Sequence, residues 1–308
     1  MRDLVCPICG SIDRRIVHES TFDDRADTRD HMNPYEAHYR INMCWQCGLV
    51  YSSPILESSE VNALYTSSVH TNICEGEEAN VRRTMEHYYS LVRPYLFKRD
   101  RVLDIGCDIG LLLNIAREDG FQELFGIEPN HVAACVAETV PRATISREFY
   151  EMQKFPDAHF DLITLIHVID HLVNPLEVLE KALRELGPRG VILAVVHNVQ
   201  SLPACMLGER FPPFNLYHHY FFSKATLRML FKRSGFDVLR VVRTYNCYSL
   251  RFLIQKVPLV PTPVRLLVRR VFDKVRIGRT HVILPLGNIG IIARRPILEA
   301  VTGEKEFS

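Results

Sequence analysis

Two carboxylates stand among glycines in the segment 101–114 (RVLDIGCDIGLLLN). A short apolar run ends at Asp104, and Gly106 and Gly110 then lead into residues 111–117, which have helical composition. A glycine turn between a strand and a helix lets the backbone approach a ligand, and it aims the free N–H groups of the helix start at that ligand. This segment therefore predicts a binding site for a nucleotide-like cofactor.

A further carboxylate, Glu128, ends the next apolar run (LFGIEPN), 22 residues after Gly106. An acid at that distance can accept hydrogen bonds from both ribose hydroxyls of a nucleoside. The dinucleotide fingerprint G-x-G-x-x-G would need glycines where the chain has Asp108 and Leu111. A dinucleotide is therefore disfavoured.

The pattern D-x-G-x-D-x-G resembles motif I of the class I S-adenosylmethionine methyltransferases, and residues 160–175 (FDLITLIHVIDHLVNP) resemble their motif IV. With the Glu128 segment these motifs cover roughly 75 residues in the family's order. The resemblance implies S-adenosylmethionine as cofactor and implies cofactor-binding roles for Asp104, Gly106, Cys107, Asp108, Gly110, Glu128, Pro129, Glu148, Phe149 and His167.

Asp108 departs from the family pattern because motif I has a glycine there. Aspartate tolerates a positive φ better than most residues, so the turn can be kept. Its carboxylate either reaches the methionine ammonium or crowds the cofactor. A non-catalytic cofactor-binding or scaffold protein therefore stays open as an alternative.

Two C-x-x-C-G motifs, containing Cys6, Cys9, Cys44 and Cys47, lie 34 residues apart. Four thiolates in two close pairs suit tetrahedral Zn²⁺, and four cysteines leave no open position for catalysis. We expect a structural zinc ribbon with an inserted hairpin or loop. The segment ending at Pro54 also resembles the zinc-binding module that precedes some bacterial sugar and natural-product methyltransferases.

Histidines form the third group of candidate residues. His167, Asp170 and His171 suggest a metal pair, but the sequence shows no third ligand nearby. Residues 218–238 resemble a family segment in which a histidine stands at the mouth of the pocket, and the resemblance implies catalytic roles for His218, His219 and His167. His218 is either a general base or a structural hydrogen-bonding residue.

Net charge, apolar runs and cysteine content indicate which kinds of partner and which cell compartment suit the chain. Its 308 residues carry 37 Lys and Arg against 36 Asp and Glu, a net charge of +1. This balance lacks the overall positive charge expected of a nucleic-acid-binding protein, although it allows a local basic patch. The N-terminus shows no secretory leader, and no apolar run of transmembrane length occurs. Nine cysteines, several isolated in predicted core elements, favour reduced thiols and a cytoplasmic location.

Short apolar strands alternate with helices after residue 99, which predicts an α/β doubly wound, Rossmann-like sheet. The resemblance implies seven strands in the order 3-2-1-4-5-7-6 with the last strand antiparallel. We divide the chain into a zinc ribbon (1–55), a linker and lid helix (56–98), a methyltransferase core (99–247), an inserted basic amphipathic region (248–280), the last core strand (281–296) and a tail (297–308).

Residues 264–276 place apolar side chains on one helical face and arginines and lysines on the other. Such a helix either lies on an anionic membrane surface near a lipid-linked acceptor or packs on the domain or on a second subunit. The sequence does not reveal the oligomeric state.

The sequence as a whole predicts methyl transfer from S-adenosylmethionine to a small acceptor such as a sugar, a nucleotide- or lipid-linked glycan precursor, or a natural product. RNA methylation is the alternative within the same chemistry, because zinc ribbons and such domains coexist in RNA-modifying enzymes.

Overall fold

The computed structural model describes residues 1–23, 34–66, 77–256, 272 and 280–296. Their strands form two sheets. In chain order the strands are β1 (Arg14–His18), β2 (Ile41–Cys44), β3 (Val50–Ser52), β4 (Arg101–Ile105), β5 (Glu123–Ile127), β6 (Ala143–Ser146), β7 (Phe160–Ile166), β8 (Leu186–His197), β9 (Tyr220–Phe221), β10 (Asp237–Ser249) and β11 (His281–Arg294).

Helices connect most of these strands. They are α1 (Ser58–Thr66), α2 (Glu78–Val92), α3 (Leu111–Glu118), α4 (His131–Ala137), α5 (Pro175–Glu185), α6 (Leu202–Leu207), α7 (Lys224–Arg233) and α8 (Leu250–Lys256). Short 3₁₀ turns cover Arg93–Tyr95, Tyr150–Met152 and Gly208–Arg210. Among the described helices, none has the length and apolar character needed to cross a bilayer.

The large sheet has the order β10-β11-β8-β7-β4-β5-β6. Strands β4 to β8 pair in parallel, and β11 runs antiparallel to both of its neighbours. Read from β6 to β10, with β4 numbered as strand 1 and β9 left out because it belongs to the small sheet, this is the predicted order 3-2-1-4-5-7-6. The doubly wound Rossmann-like fold class is therefore confirmed. Val102, Leu103 and Ile105 of β4 are buried because helices cover both faces of the sheet.

The small sheet has the order β1-β2-β3-β9. The first cysteine motif precedes β1, and the second lies at the turn between β2 and β3. Strands β1 and β2 form an antiparallel hairpin within the region where the sequence predicts an insertion. Strand β9 comes from far along the chain and pairs with β3 through Val50–Phe221 and Tyr51–Tyr220. The N-terminal module is therefore completed by a strand that follows the large sheet's β8.

One hydrophobic cluster joins the two sheets. It contains Tyr39 and Tyr51 from the N-terminal module together with Leu103, Phe160 and Phe222 from the rest of the chain, each with 0% exposure. Because the core is continuous, displacement of the module would expose apolar surface on both sides.

The predicted inserted region begins inside a strand, and most of it lies outside the described residues. Strand β10 extends to Ser249, so the start of the predicted inserted region at residue 248 lies within a strand, and α8 follows directly. The predicted amphipathic helix at 264–276, apart from residue 272, and the predicted tail at 297–308 lie outside the described residues.

Candidate active site

A cavity of about 530 Å³ opens at the carboxyl ends of four neighbouring parallel strands. Ile105 of β4, Ile127 of β5, Ile166 of β7 and His197 of β8 all line it. Doubly wound folds bind their ligands at this edge, where the loops after the strands diverge. The sequence motifs meet here because each follows one of these strands.

The glycine turn after β4 has a backbone that few side chains tolerate. Gly106 has φ +73°, and a Cβ there would lie 2.5 Å from Cγ2 of Val168. Asp108 also has positive φ, at 46°, which confirms the premise on which its tolerance was argued. Gly110, at φ +78°, starts α3 and backs onto Ala137.

Glu128 joins the two loops that form one wall of the cavity. Its Oε2 accepts a hydrogen bond from the backbone N–H of Asp108 at 2.9 Å, and its Oε1 accepts from the N–H of Asn130 at 2.8 Å. Burial raises the pKa of the Glu128 carboxyl, and the two N–H donors oppose that shift. The side chain is therefore held in place at the position expected for ribose recognition.

Two more acids stand beside Glu128. Asp104 is buried and accepts a 2.6 Å hydrogen bond from Thr164 Oγ1, and burial raises its pKa to about 8 with a smaller contribution from the neighbouring carboxylates. Burial also raises the pKa of Asp108 to about 6. Among the described residues, Asp108 Oδ1 is buried with no hydrogen-bond partner. Three crowded carboxyl groups attract a cationic ligand.

Most of the predicted cofactor residues line this cavity: Asp104, Gly106, Cys107, Asp108, Glu128, Pro129, Phe149 and His167. Glu148 does not, because its side chain is exposed and accepts a hydrogen bond from Gln153 Nε2 at 3.1 Å. Gly110 lies behind the lining, where it starts α3. The thiol of Cys107 lies against Gly126, so this residue offers the ligand its backbone.

The opposite wall holds a histidine cluster around Asp170. His171 Nε2 lies 3.9 Å from Asp170 Oδ1, and His218 Nε2 lies 3.8 Å from Oδ2. His167 and His197 each bring a ring nitrogen within 4.8 Å of the same carboxylate. The four imidazoles line the cavity, and Asp170 lies beneath them with 1% exposure.

Neighbouring groups fix the proton of two imidazoles. The carbonyl oxygen of Tyr217 can only accept, and it lies 2.9 Å from His171 Nδ1, so this nitrogen carries the proton. Asn215 Oδ1 accepts from His218 Nδ1 at 3.0 Å and from the N–H of Tyr217 at 2.9 Å. Nε2 of both histidines is therefore left as an unprotonated lone pair facing Asp170.

His197 is held in the same way. Its Nδ1 lies 2.9 Å from Asn288 Oδ1, and the amide orientation follows from Asn288 Nδ2, which donates to Tyr88 Oη and to Asn246 Oδ1. The proton of His197 is thus on Nδ1. A third Nε2 lone pair is free on this wall of the cavity.

Burial sets the charge of the cluster. It lowers the pKa of His171 to about 4, and it lowers the pKa values of His167, His197 and His218, so these imidazoles are neutral near pH 7. Burial raises the pKa of Asp170 to about 6, while the nearby His197 opposes that rise. Neutral imidazoles can accept a proton or bind a metal ion.

His219 was predicted from the sequence as a catalytic residue, but the structure places it outside the cavity lining. Its side chain has 0% exposure, and its Nδ1 lies 3.4 Å from the carbonyl oxygen of Leu172. Its backbone N–H donates to Asp170 O at 2.8 Å, and its carbonyl accepts from Ser52 N–H at 2.8 Å. His219 therefore supports the strand beside the site, and we leave it out of the proposed catalytic residues.

The cluster as a unit was not predicted from the sequence. His167, Asp170 and His171 have no further ligand near them in the sequence, and His197 stands on a different segment. A usable signal was present, because His197 ends β8 and the His167–His171 loop follows β7, and adjacent parallel strands bring these ends together. The fold also brings His218 to the same place.

Tyrosines flank the histidine wall. The ring centroids of Tyr35 and Tyr217 lie 4.9 Å apart, and those of Tyr65 and Tyr217 lie 5.4 Å apart. Tyr65 Oη also donates to the carbonyl of Tyr217 at 3.0 Å. The planes of these ring pairs are tilted by 43° and 60°, so they form an angled aromatic wall with polar edges, against which a ring-shaped molecule can pack.

The four N-terminal cysteines converge at a separate site. Cys6 Sγ lies 3.3 Å from Cys47 Sγ, and Cys9 Sγ lies 3.5 Å from Cys44 Sγ. Gly10 and Gly48 have φ values of +73° and +75°, as tight turns after each pair require. The four sulfur atoms lie within 4.8 Å of one another. Burial raises the pKa of the Cys47 thiol to about 11, so this sulfur would be a thiolate at neutral pH only with a bound cation beside it.

The fold and the cavity together are those of a class I methyltransferase. A family model described as a methyltransferase domain matches residues 78–241, and the chain belongs to this family. The match runs from α2 into β10, so it includes the glycine turn, Glu128 and the whole histidine cluster.

Curated relatives are more distant. Over 163 residues the chain is 28% identical to the tRNA U34 carboxymethyltransferase of Aliarcobacter butzleri, which covers 51% of this chain and 54% of that protein. Over 115 residues it is 29% identical to the ubiquinone biosynthesis O-methyltransferase of Vibrio cholerae, which covers 35% of this chain and 47% of that protein. The chain thus spans about half the length of the curated relatives it matches.

A solved structure supports the fold. A chain in the complex between the Haloferax volcanii Trm112 methyltransferase activator and a methyltransferase superposes with a TM-score of 0.51 at 17% identity. The superposition covers 72% of this chain and 96% of the other. At this identity the likeness concerns the fold alone.

Proposed function

We propose that the protein transfers a methyl group from S-adenosylmethionine to a small, uncharged acceptor. The observation that carries the proposal is that one cavity holds the three acids of the glycine-turn side and the neutral imidazoles of the opposite side. A cofactor site and a proton-accepting group thus face the same space.

S-adenosylmethionine supplies an electrophilic methyl group on a positively charged sulfur. Glu128 is placed to accept the ribose hydroxyl protons, and Asp104 and Asp108 are placed to favour the cationic methionine portion. The unpaired Asp108 Oδ1 is a natural partner for an ammonium group. Alignment of the two reactants in such a site can lower the activation free energy by about 7–11 kcal/mol.

The lining chemistry supports an uncharged acceptor. None of the described residues that line the cavity is a lysine or an arginine, whereas Glu77, Asp104, Asp108, Glu128 and Glu151 all belong to the lining. A diphosphate or a phosphodiester would meet repulsion without a counter-charge. Among the acceptors suggested by the sequence, we therefore favour a sugar or a natural product over a nucleotide-linked one.

A hydroxyl or carbon acceptor must lose a proton as it gains the methyl group. The imidazole of His218 is placed to take it, because its Nε2 is unprotonated and the side chain lines the cavity. Burial lowers the pKa of His218, which keeps the imidazole unprotonated near pH 7 and also makes it a weaker base than a free imidazole.

The direct test measures S-adenosylhomocysteine release with panels of neutral sugars and phenolic natural products. We expect turnover with at least one neutral ring compound and a fall of about 100-fold or more in His218→Gln. Turnover restricted to phosphorylated acceptors would contradict the proposal. Absence of turnover with every acceptor, despite cofactor binding, would favour the non-catalytic alternative.

Transfer to tRNA is the second candidate, and the observation that favours it is the 28% identity with a tRNA-modifying relative. A tRNA substrate would have to place an extruded base in the cavity while its phosphates contact basic residues elsewhere. The same release assay with unmodified tRNA decides between the two. Turnover on tRNA that exceeds turnover on every small acceptor would establish this candidate.

We also propose that the N-terminal module binds one structural Zn²⁺ through Cys6, Cys9, Cys44 and Cys47. The donor set is that of closed zinc sites, and the paired cysteines lie at nearly tetrahedral ligand separations. Native mass spectrometry should find one tightly held Zn²⁺ at this site. A fully folded protein without metal would contradict the proposal.

A further inference from the structure

We propose that Asp170, His171 and His218 form a second metal site, for a divalent transition-metal ion, on the acceptor side of the cavity. The site is separate from the four cysteines in the N-terminal module. His197 stands beside it with a free Nε2, within reach of the same carboxylate.

The spacing of the ligand atoms fits an ion between them. The two Nε2–carboxylate distances are 3.9 and 3.8 Å, and the ligand atoms of the trio all lie within 4.8 Å of one another. Ligands that are each about 2.1 Å from one ion stand about 3.4 Å apart in a tetrahedron and up to about 4.2 Å apart across an octahedron. The observed separations are somewhat longer than tetrahedral ones, so a bound ion would draw the ligand atoms closer together.

Both histidines have the hydrogen-bonding arrangement that is usual for metal-binding imidazoles. Tyr217 O holds the proton on His171 Nδ1, and Asn215 Oδ1 holds it on His218 Nδ1. A hydrogen bond to the outer nitrogen is the usual support for a metal-binding imidazole, because it fixes both the ring and the tautomer. The inner nitrogens then present lone pairs to a common point.

No described side chain donates a hydrogen bond to the carboxylate. Asp170 is 1% exposed, and within the described part of the chain neither of its oxygens has a partner at hydrogen-bond distance, although the backbone N–H groups of Asp170 and His197 are near enough to lower its pKa. At 3.8 Å or more the imidazoles are too far away for hydrogen bonds, and their facing nitrogens carry no proton. A buried carboxylate that faces two lone pairs is repelled by them, and a bound cation reverses that repulsion.

The donor set selects the kind of ion. Two imidazole nitrogens and one carboxylate suit Zn²⁺, Fe²⁺, Co²⁺ or Ni²⁺, whereas Mg²⁺ and Ca²⁺ prefer oxygen ligands alone. Three protein ligands leave coordination positions open, and both histidines line the cavity. An acceptor oxygen in the cavity could therefore reach the ion.

A role for the ion in catalysis rests on the proposed function, whereas its binding does not. An ion at this site would lower the pKa of a bound acceptor hydroxyl, which is the step assigned above to His218. The two roles of His218 exclude each other, because one lone pair cannot hold both an ion and a proton. Metal dependence of the transfer step separates them.

The test titrates Co²⁺ into protein whose cysteine site is already filled with one equivalent of Zn²⁺. We expect one further equivalent to bind with a visible spectrum that lacks thiolate charge-transfer bands. Asp170→Asn and His218→Gln should each weaken this binding at least tenfold. His131→Gln, at an exposed histidine at the start of α4, should leave it unchanged.

Thermal unfolding and S-adenosylmethionine binding are measured on the same samples to confirm that each variant is folded. No second equivalent in the wild type, or equal binding by wild type and the Asp170→Asn variant, would overturn the metal site. If Co²⁺ binds as expected but no acceptor is ever methylated, the proposed function fails and the metal site stands.

Discussion

At the scale of single residues, the carboxyl groups of Asp104, Asp108 and Glu128 decide how the cavity treats charge. Asp104 is buried, Asp108 and Glu128 are partly buried, and all three pKa values are raised because burial disfavours the ionised form. A bound cation removes part of that penalty. The binding energy of a cationic cofactor is therefore linked to their protonation.

Protonation of Asp108 should make the affinity for the cofactor depend on pH. With a pKa of about 6, its carboxyl is protonated below that pH and ionised above it, next to Asp104 and Glu128. We expect the affinity for S-adenosylmethionine to rise about threefold to tenfold between pH 5 and pH 7, as the charge on Asp108 appears. Isothermal titration at several pH values measures it.

Asp108→Asn and Asp108→Gly are the matched variants, since both fit the positive φ of this position. Both should bind the cofactor with a flatter pH profile than the wild type. An unchanged profile would show that Asp108 does not contact the charged part of the ligand.

In the absence of ligand, the buried carboxyl group of Asp104 should lower the free energy of unfolding of the protein at high pH. Its folded-state pKa of about 8 lies above the ordinary value of 3.8, so the folded protein holds a proton that the unfolded chain releases. Stability then falls as the pH rises from about 4 to 8. Asp104→Asn should raise the unfolding free energy at pH 8 by about 1–3 kcal/mol and weaken cofactor binding. Chemical denaturation at pH 5 and pH 8 tests this, and an equal effect at both pH values would contradict it.

Residue identities in motif I could be predicted from the sequence because the chain itself fixes their spacing. Glu148 could not be placed, since a loop residue one position away from Phe149 can face either solvent or the cavity. The histidine cluster needed the fold, because Asp170 follows β7, His197 ends β8 and His218 precedes β9.

At the scale of elements, the turn between β4 and α3 depends on Gly106. An alanine there would combine a positive φ with a Cβ 2.5 Å from Val168. We expect Gly106→Ala to lower the unfolding free energy by about 1–3 kcal/mol and to weaken cofactor binding.

Gly187→Ala is the control, because its Cβ would meet the nearest backbone atom at 3.4 Å without a positive φ. Thermal unfolding of both variants measures the difference. Equal loss in the two would show that the turn geometry after β4 is not the cause.

The N-terminal module reaches the cavity through β3 and β9. Ser52 donates through Oγ to the carbonyl of His218 at 3.3 Å and through its N–H to the carbonyl of His219. Disruption of the cysteine site should therefore disturb His218 while leaving the glycine turn intact.

Cys44→Ser tests that connection. We expect loss of the bound Zn²⁺ by native mass spectrometry and a larger fall in methyl transfer than in cofactor affinity. Cys205→Ser, at an exposed cysteine on α6 that is not one of the four proposed zinc ligands, should behave as wild type. If Cys44→Ser lost metal and kept full activity, the module would have no part in forming the site.

Element positions were largely predictable where the hydrophobic pattern is strong. Strands β6 and β7 lie where short apolar runs are flanked by clear breaks in the sequence. Strand β9 was not predicted as part of the N-terminal sheet. Its two residues pair with a strand more than 160 positions earlier, and a pattern of local periodicity carries no information about such a pairing.

At the scale of the whole molecule, the N-terminal module and the large sheet act as one body built on a common core. The hydrophobic cluster that contains Tyr39 and Phe222 includes residues of both the module and the large sheet, so the two share one continuous core. The histidine wall of the cavity stands where the two parts meet, since His218 precedes β9 and Asp170 follows β7. The acceptor side of the cavity thus depends on both.

The central claim is that the cavity binds S-adenosylmethionine through Glu128. Calorimetric titration of the purified protein, of Glu128→Gln and of Glu148→Gln tests it most directly, because only the first of these acids lines the cavity. We predict micromolar binding by the wild type, at least tenfold weaker binding by Glu128→Gln, equivalent to about 1.4 kcal/mol, and no change in Glu148→Gln. No binding by the wild type, or equal binding by all three proteins, would contradict the claim.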